Sequence, residues 1–205
     1  MPIFLLIRHG STPYVGKRLP GRMPGIHLNE EGKAQAEMLA EQLGRLTLNA
    51  IYCSPMERTV QTALPLAGRL GLEIRTSEEL SEIEIGDWTG LDYDQLANDP
   101  LWQRYKASPS GTRPPKGELI IEVQRRMVSE IEKIRQEYPN GILAIISHAD
   151  PIKTVLAHYA CIPLDFLSRL EISLASVSAV SISDHGPKIL CINSLGGFPD
   201  FLLHA

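Results

Sequence analysis

The run Ile3-Phe4-Leu5-Leu6-Ile7, closed by Arg8-His9-Gly10, is the clearest structural signal in this chain. Five apolar residues in succession leave no polar face. They describe a strand covered on both sides, as in a parallel sheet with helices above and below. The run stops where charge and a glycine begin. In open α/β sheets ligands bind beyond the carboxyl ends of the strands, so Arg8, His9 and Gly10 stand where chemistry is expected.

Working outward, the apolar period becomes helical after Asn29. Ala36, Leu39, Ala40, Leu43 and Leu46 recur on one face, with Asn29 as N-cap. Ala50–Cys53 reads as a second strand, and Ser54-Pro55 supplies a cap residue and a proline for a helix running towards Leu70. Leu72–Arg75 is a short third strand after Gly71. Ile120–Tyr138 is a long amphipathic helix, stopped by Pro139-Asn140-Gly141. Ile142–Ser147 is a fourth buried strand, followed by a helix over Pro151–Ala160. Val177–Ile182 and Lys188–Ile192 flank Asp184-His185-Gly186-Pro187 as a closing hairpin. This alternation predicts an α/β fold: a three-layer αβα sandwich, with a mostly parallel central sheet of about six strands and helices on both faces.

The 205 residues fit a single domain, 1–205. Residues 106–117, rich in proline and glycine, form the one long irregular segment, either a disordered surface loop or a flap over a site. A hydrophobic share of 43% with 21% charged residues describes a globular chain and excludes disorder. The net charge of −4 argues against a nucleic-acid partner, which wants a basic face. Cys53, Cys161 and Cys191 are odd in number and far apart, which suits reduced thiols in the cytoplasm rather than a disulfide framework or a zinc site. No signal sequence and no membrane-spanning run is read, so a cytoplasmic location and no membrane partner are expected.

The residues after the buried strands converge. Arg8 and His9 follow the first, Arg58 lies just beyond the second, and His148 ends the fourth. One such histidine is usually a satisfied imidazole, and one such arginine a surface ion-pair partner. Four cationic or potentially cationic groups at one sheet edge repel each other unless an anion sits between them. The planar fork of arginine suits phosphate oxygens, so a phosphoryl site is the best physical reading.

In order, Arg8-His9-Gly10-x-Thr12, Ser54-Pro55-x-x-Arg58-Thr59-x-x-Thr62-Ala63, Leu80-x-Glu82-x-x-x-Gly86-x-Trp88-x-Gly90 and Ser147-His148 resemble the histidine phosphatase superfamily, which includes the cofactor-dependent phosphoglycerate mutases. The match spans roughly residues 3–160, with a weaker echo in the terminal strands. The resemblance implies a phosphohistidine route, with His9 as nucleophile. Arg8, Arg58 and His148 would hold the phosphoryl oxygens, with Gly10 and Thr12 in the phosphate loop. Glu82 matches the family's acidic residue, a general acid and then base, for which a raised pKa is expected. Glu84 and Asp87 are near enough in sequence to compete, and spacing alone does not choose. No metal and no cofactor are implied, since arginines beside His9 and His148 would oppose a divalent cation. Trp88 and Trp102 read as core or pocket-wall aromatics.

The chain departs from the family pattern in three places. Val15 stands where an asparagine is usual. Gly117-Glu118-Leu119 replaces a triplet ending in serine, and Glu118 is read only as a favourable helix start. Ala149-Asp150 replaces a glycine pair; Asp150 would disfavour a second anionic group unless Lys153 or Arg22 balances it. The positions where mutases carry basic and tyrosine side chains hold Ile83, Ile85 and Tyr93, which favours a hydrolase over a mutase. Candidate contacts to the rest of a small phosphorylated substrate are Arg18, Arg22, Tyr93, Trp102, Lys116 and Ala149. The tail over 196–205, with Phe198, Phe201, Leu202 and Leu203, packs on its own domain or covers the partner of a homodimer. The leading expectation is a metal-independent phosphomonoesterase. A phosphomutase and a catalytically decayed phosphate-binding module are its alternatives.

Overall fold

The computed structural model describes residues 1–196. The expectation for the tail from residue 197 onward lies outside the described residues. The chain builds β1 (Pro2–Arg8), α1 (Glu30–Leu43), β2 (Leu48–Cys53), α2 (Glu57–Leu70), β3 (Ile74–Thr76), α3 (Tyr93–Leu96), α4 (Pro100–Ala107), α5 (Ile120–Glu137), β4 (Gly141–Ser147), α6 (Ala149–Tyr159), β5 (Val177–Ser183) and β6 (Gly186–Ser194). They form a six-stranded sheet in the order β3-β2-β4-β1-β5-β6. The pairings among β1, β2, β3 and β4 are parallel, while β5 and β6 pair antiparallel. The expected α/β sandwich is the observed architecture. No helix among the described residues is long and apolar enough to cross a membrane.

The strand periodicity of two explains the two cores. Ile3, Leu5 and Ile7 point to the face covered by α1 and α2, where they meet Leu39, Leu43, Ala63 and Leu66. Phe4 and Leu6 point to the other face, against Val123, Met127 and Ile131 of α5 and Ile152 and Val155 of α6. A continuous apolar run is therefore the sum of two alternating faces, each needing its own helical cover. β1 lies between β4 and β5, its carboxyl end beside that of β4, with Arg8 opposite Ser147. This register puts His9 next to His148.

Most expected elements recur with shifted ends. Asn29 caps α1, its Oδ1 accepting from Gly32 N at 2.8 Å. α2 starts at Glu57, so Ser54 is not its cap; the cap position is Met56, with no side-chain hydrogen bond. β3 begins at Ile74 because α2 ends on Gly71 in the left-handed region (φ 64), and Leu72 N still bonds back to Ala67 O at 3.1 Å. α6 begins at Ala149, two residues earlier than expected, leaving Pro151 in its first turn, where a missing N–H costs nothing. The short helices α3 and α4 were not anticipated. Asp99 caps α4, accepting from Leu101 N at 2.8 Å, ahead of Pro100 at the first helical position. Residues 106–117 complete α4, make a 3₁₀ turn over Pro109–Gly111 and run on irregularly. They are tied down by Ser110 Oγ donating to Asp165 at 2.9 Å and Arg113 donating to Glu122 at 2.7 and 2.8 Å.

Candidate active site

His9 leaves the end of β1, and its backbone N–H bonds to Ser147 O at 3.0 Å, prolonging the parallel ladder by one rung. Its Nδ1 lies 2.7 Å from Gly10 O. A carbonyl only accepts, so Nδ1 carries the proton and Nε2 keeps its lone pair. Burial, then the Arg58 charge, pulls the His9 pKa down to about 3. The imidazole is neutral at physiological pH, the state a nucleophile requires. The loop after β1 is pinned from below: Gly10 N donates to Thr62 Oγ1 at 3.0 Å, which itself donates to Arg58 O at 2.7 Å.

Arg58 is fully buried, a placement that requires partners for a charged group. It has two. Nη2 donates to Gly21 O at 2.9 Å and Nε to His148 Nδ1 at 3.3 Å. With Nδ1 accepting, His148 Nε2 carries the proton and donates to Ser54 Oγ at 2.9 Å, the use to which the Ser54 hydroxyl is put instead of capping. Burial and the Arg58 charge hold His148 well below the usual imidazole range. The His9 and His148 rings meet edge-on, centroids 5.2 Å apart. Arg8 gives Nη1 to Ile172 O at 2.6 Å. Arg8 Nε and Arg58 Nη1 are buried N–H groups with no acceptor among the described residues. Orphaned guanidinium donors at one sheet edge are costly unless an anion completes them.

A cavity of about 270 Å³ opens over this edge, lined by Arg8, His9, Thr12, Val15, Glu82 and Asp150 among others. Of the three neighbouring acids only Glu82 lines it. Glu84 turns back to accept from Gly86 N at 3.0 Å, and Asp87 is exposed and pairs with Lys116 at 2.9 Å. Burial and then the Asp150 charge push Glu82 up to about 7, so its carboxyl is poised to hold or release a proton near neutrality. Glu82 Oε2 lies 3.8 Å from His148 Nδ1.

Arg22 and Lys116 do not line the cavity, whereas Arg18, Tyr93, Trp102 and Ala149 do. Arg22 instead clamps the acid loop, Nε to Glu82 O at 2.7 Å and Nη2 to Glu118 at 2.9 Å. Glu118 also takes Arg126 Nε at 3.0 Å and Glu84 N at 2.8 Å, and Arg126 Nη2 reaches Glu82 O at 3.1 Å. Glu118 is thus the centre of a buttress under Glu82 and more than a helix start. Arg126, Thr62 and Ser54 were missed as site-building residues. Only Ser54 and Thr62, which sit inside the quoted motif, carried a sequence signal that could have found them. Val15 lines the cavity with an apolar side chain, and its backbone N–H is spent on Thr12 O at 3.3 Å, so it replaces no phosphate donor. Lys153 balances Asp150, at 3.6 Å, where Arg22 does not.

The family model described as the histidine phosphatase superfamily (branch 1) matches residues 4–195. The chain belongs to that superfamily. It is 27% identical over 206 residues to Phosphoserine phosphatase 1 of Hydrogenobacter thermophilus, covering 98% of this chain and 96% of that one. It is 31% identical over 170 residues to Glucosyl-3-phosphoglycerate phosphatase of Mycobacterium tuberculosis, covering 78% and 76%. Among solved structures, Bacillus stearothermophilus YhfR superposes with a TM-score of 0.88 at 28% identity, over 93% of this chain and 96% of that one. The convergent sheet edge and its orphaned donors are the candidate site of this superfamily member.

Proposed function

We propose that this histidine phosphatase superfamily member hydrolyses small phosphomonoesters without a metal, through a phosphohistidine on His9. The lone pair of His9 Nε2 attacks phosphorus while the P–O bond to the leaving group breaks. Glu82, protonated, gives its proton to the departing alkoxide oxygen. In the second half, Glu82 as carboxylate takes a proton from water, whose oxygen attacks phosphorus as the N–P bond breaks, releasing inorganic phosphate and restoring both groups. Arg8 and Arg58 offset the charge on the transferring oxygens throughout. His148, uncharged and a donor only toward Ser54, orients Arg58 and packs against His9.

The observation that carries this reading is the pairing of protonation states. A nucleophile held near pKa 3 is deprotonated at the pH where an acid held near 7 still keeps its proton. Ile83 and Ile85 both line the cavity and leave a mutase's second acidic group unmatched, which supports hydrolysis over phosphate transfer between positions. The free thiols Cys53, Cys161 and Cys191 are consistent with residence in the cytoplasm.

The test is inorganic phosphate release from 4-nitrophenyl phosphate and a panel of monoesters with EDTA present. Activity that survives EDTA and disappears in His9→Ala, with acid-labile phosphate trapped on the wild type under alkaline quench, supports the route. Isomerisation of a phosphoglycerate without phosphate release would replace it with a mutase.

A further inference from the structure

Beyond the phosphate end, the cavity wall has a distinct chemistry. α4 contributes Trp102 and Tyr105, stacked with centroids 5.7 Å apart and planes 19° from parallel. Tyr93 of α3 stands 6.5 Å from Trp102 and lines the same cavity. Asp150, at the start of α6, lines the same cavity as this aromatic wall; burial first, and then the Asp150 charge, raises the pKa of both Tyr93 and Tyr105. The two cations outside the phosphate end are already matched, Arg18 with Asp92 at 2.5 Å and Lys153 with Asp150 at 3.6 Å. Glu171 also lines the cavity and forms no ion pair among the described residues. The leaving-group end is therefore aromatic, with a surplus carboxylate and no uncommitted cation.

An anionic leaving group would meet the unmatched Glu171 beside the Asp150–Lys153 pair, with both cations of this end already engaged. A neutral one would gain only the apolar contact of the rings. A cationic one gains both the carboxylate attraction and the negative faces of the rings, the combination by which quaternary ammonium groups are held. We propose that the substrate's leaving group carries an ammonium or quaternary ammonium, seated against Trp102 and Tyr105 and drawn by the carboxylates of Asp150 and Glu171. The preferred substrates are then phosphate esters of amino alcohols. This rests on the hydrolase reading above.

The experiment compares kcat/KM for choline phosphate, its uncharged carbon isostere 3,3-dimethylbutyl phosphate and the anionic 3-phosphonooxypropanoate, with 4-nitrophenyl phosphate as a general reporter. Choline phosphate is expected to exceed the isostere by about tenfold and the anionic ester by about a hundredfold. Phosphoethanolamine is expected to exceed phosphoserine, whose added carboxylate faces the same two acids. Asp150→Asn should bring the ratio of choline phosphate to isostere to within about threefold. The ratio is the readout because Asp150 also bears on Glu82, which serves both esters alike. An isostere as good as choline phosphate, with 4-nitrophenyl phosphate turned over, overturns the ammonium site and leaves the hydrolase standing. A charge preference unchanged by Asp150→Asn overturns the role of Asp150. No phosphate release from any ester overturns the hydrolase reading itself, and this inference with it.

Discussion

Gly10 and Gly32 pass so closely that a Cβ on Gly10 would stand 2.7 Å from the carbonyl oxygen of Gly32. The reverse is tighter: a Cβ on Gly32 would lie 2.1 Å from Ser11 O. The first turn of α1 thus rests directly on the backbone of the loop that follows β1. Gly32→Ala is expected to push the loop off its position, costing about 1–3 kcal/mol of stability and at least about tenfold in kcat/KM. Gly68→Ala is the control. It lies within α2 with open space around it, and should be neutral or stabilising by up to about 1 kcal/mol. Urea melts and steady-state rates on both variants check the pair.

If Glu82 delivers the proton to the leaving group, its worth depends on how badly the leaving group needs one. Glu82→Gln should lower kcat for alkyl phosphates by about 10²–10⁴-fold. Loss for 4-nitrophenyl phosphate should be much smaller, because 4-nitrophenolate departs without help. In the wild type, kcat for alkyl esters should decline above pH 7 as Glu82, held at about 7, loses its proton. Asp150→Asn removes a neighbouring negative charge and should move that decline to lower pH. pH–rate profiles with the two ester classes read both effects.

Glu118 and Arg126 touch the Glu82 loop from beneath rather than the cavity, and act as positioning residues. Arg126→Met leaves the partly buried Glu118 carboxylate short of a partner and should cost about 2–4 kcal/mol. Its kinetic signature should mirror that of Glu82→Gln, with alkyl esters losing more kcat than aryl esters. Arg126→Lys should restore little, because a single ammonium cannot reach Glu79 O, Glu82 O and Glu118 together. Equal losses for both ester classes would reduce the buttress to general scaffolding.

Protonation links the site to stability. His9 and His148 have folded pKa values below the unfolded 6.5, so the unfolded chain binds more protons as pH falls, and their contribution is present above 6.5 and lost below it. Glu82 has the opposite sign: its raised pKa favours the folded state at low pH and is lost as pH rises towards 7. Between about pH 4.5 and 6.5 two histidines oppose one glutamate. Stability should therefore fall by about 1.4 kcal/mol per pH unit on acidification. His9→Gln removes one proton from the balance and should flatten the slope across this window. Urea midpoints at pH 5, 5.5, 6 and 6.5 for both proteins provide the test.

Arg8, His9, Arg58 and His148 were legible because each lies within a residue or a helical turn of a buried strand's carboxyl end, and strands are announced by their own local apolar runs. Glu82 was legible only through the family pattern, since nothing local separates it from Glu84 or Asp87; the cavity does so by admitting one of the three. The ends of α2, β3 and α6 shifted because caps and helix exits are settled by tertiary partners. Ser54 is drawn to His148 across 94 residues and is thereby lost as a cap.

The sequence by itself determined the order of the six strands and the four longer helices along the chain, the double-sided cover of β1 and the placing of two histidines and two arginines at one edge. All of these follow from short-range periodicity and the chain's own order. The tertiary structure alone decided the buttress of Arg22, Glu118 and Arg126 under Glu82, the approach of Gly32 to the loop after β1 and the placing of Asp150 and the aromatic wall in one cavity. Each joins groups from different elements. Their hydrogen bonds, charges and close contacts depend on distances that no local pattern encodes and that exist only once the sheet has brought the elements together.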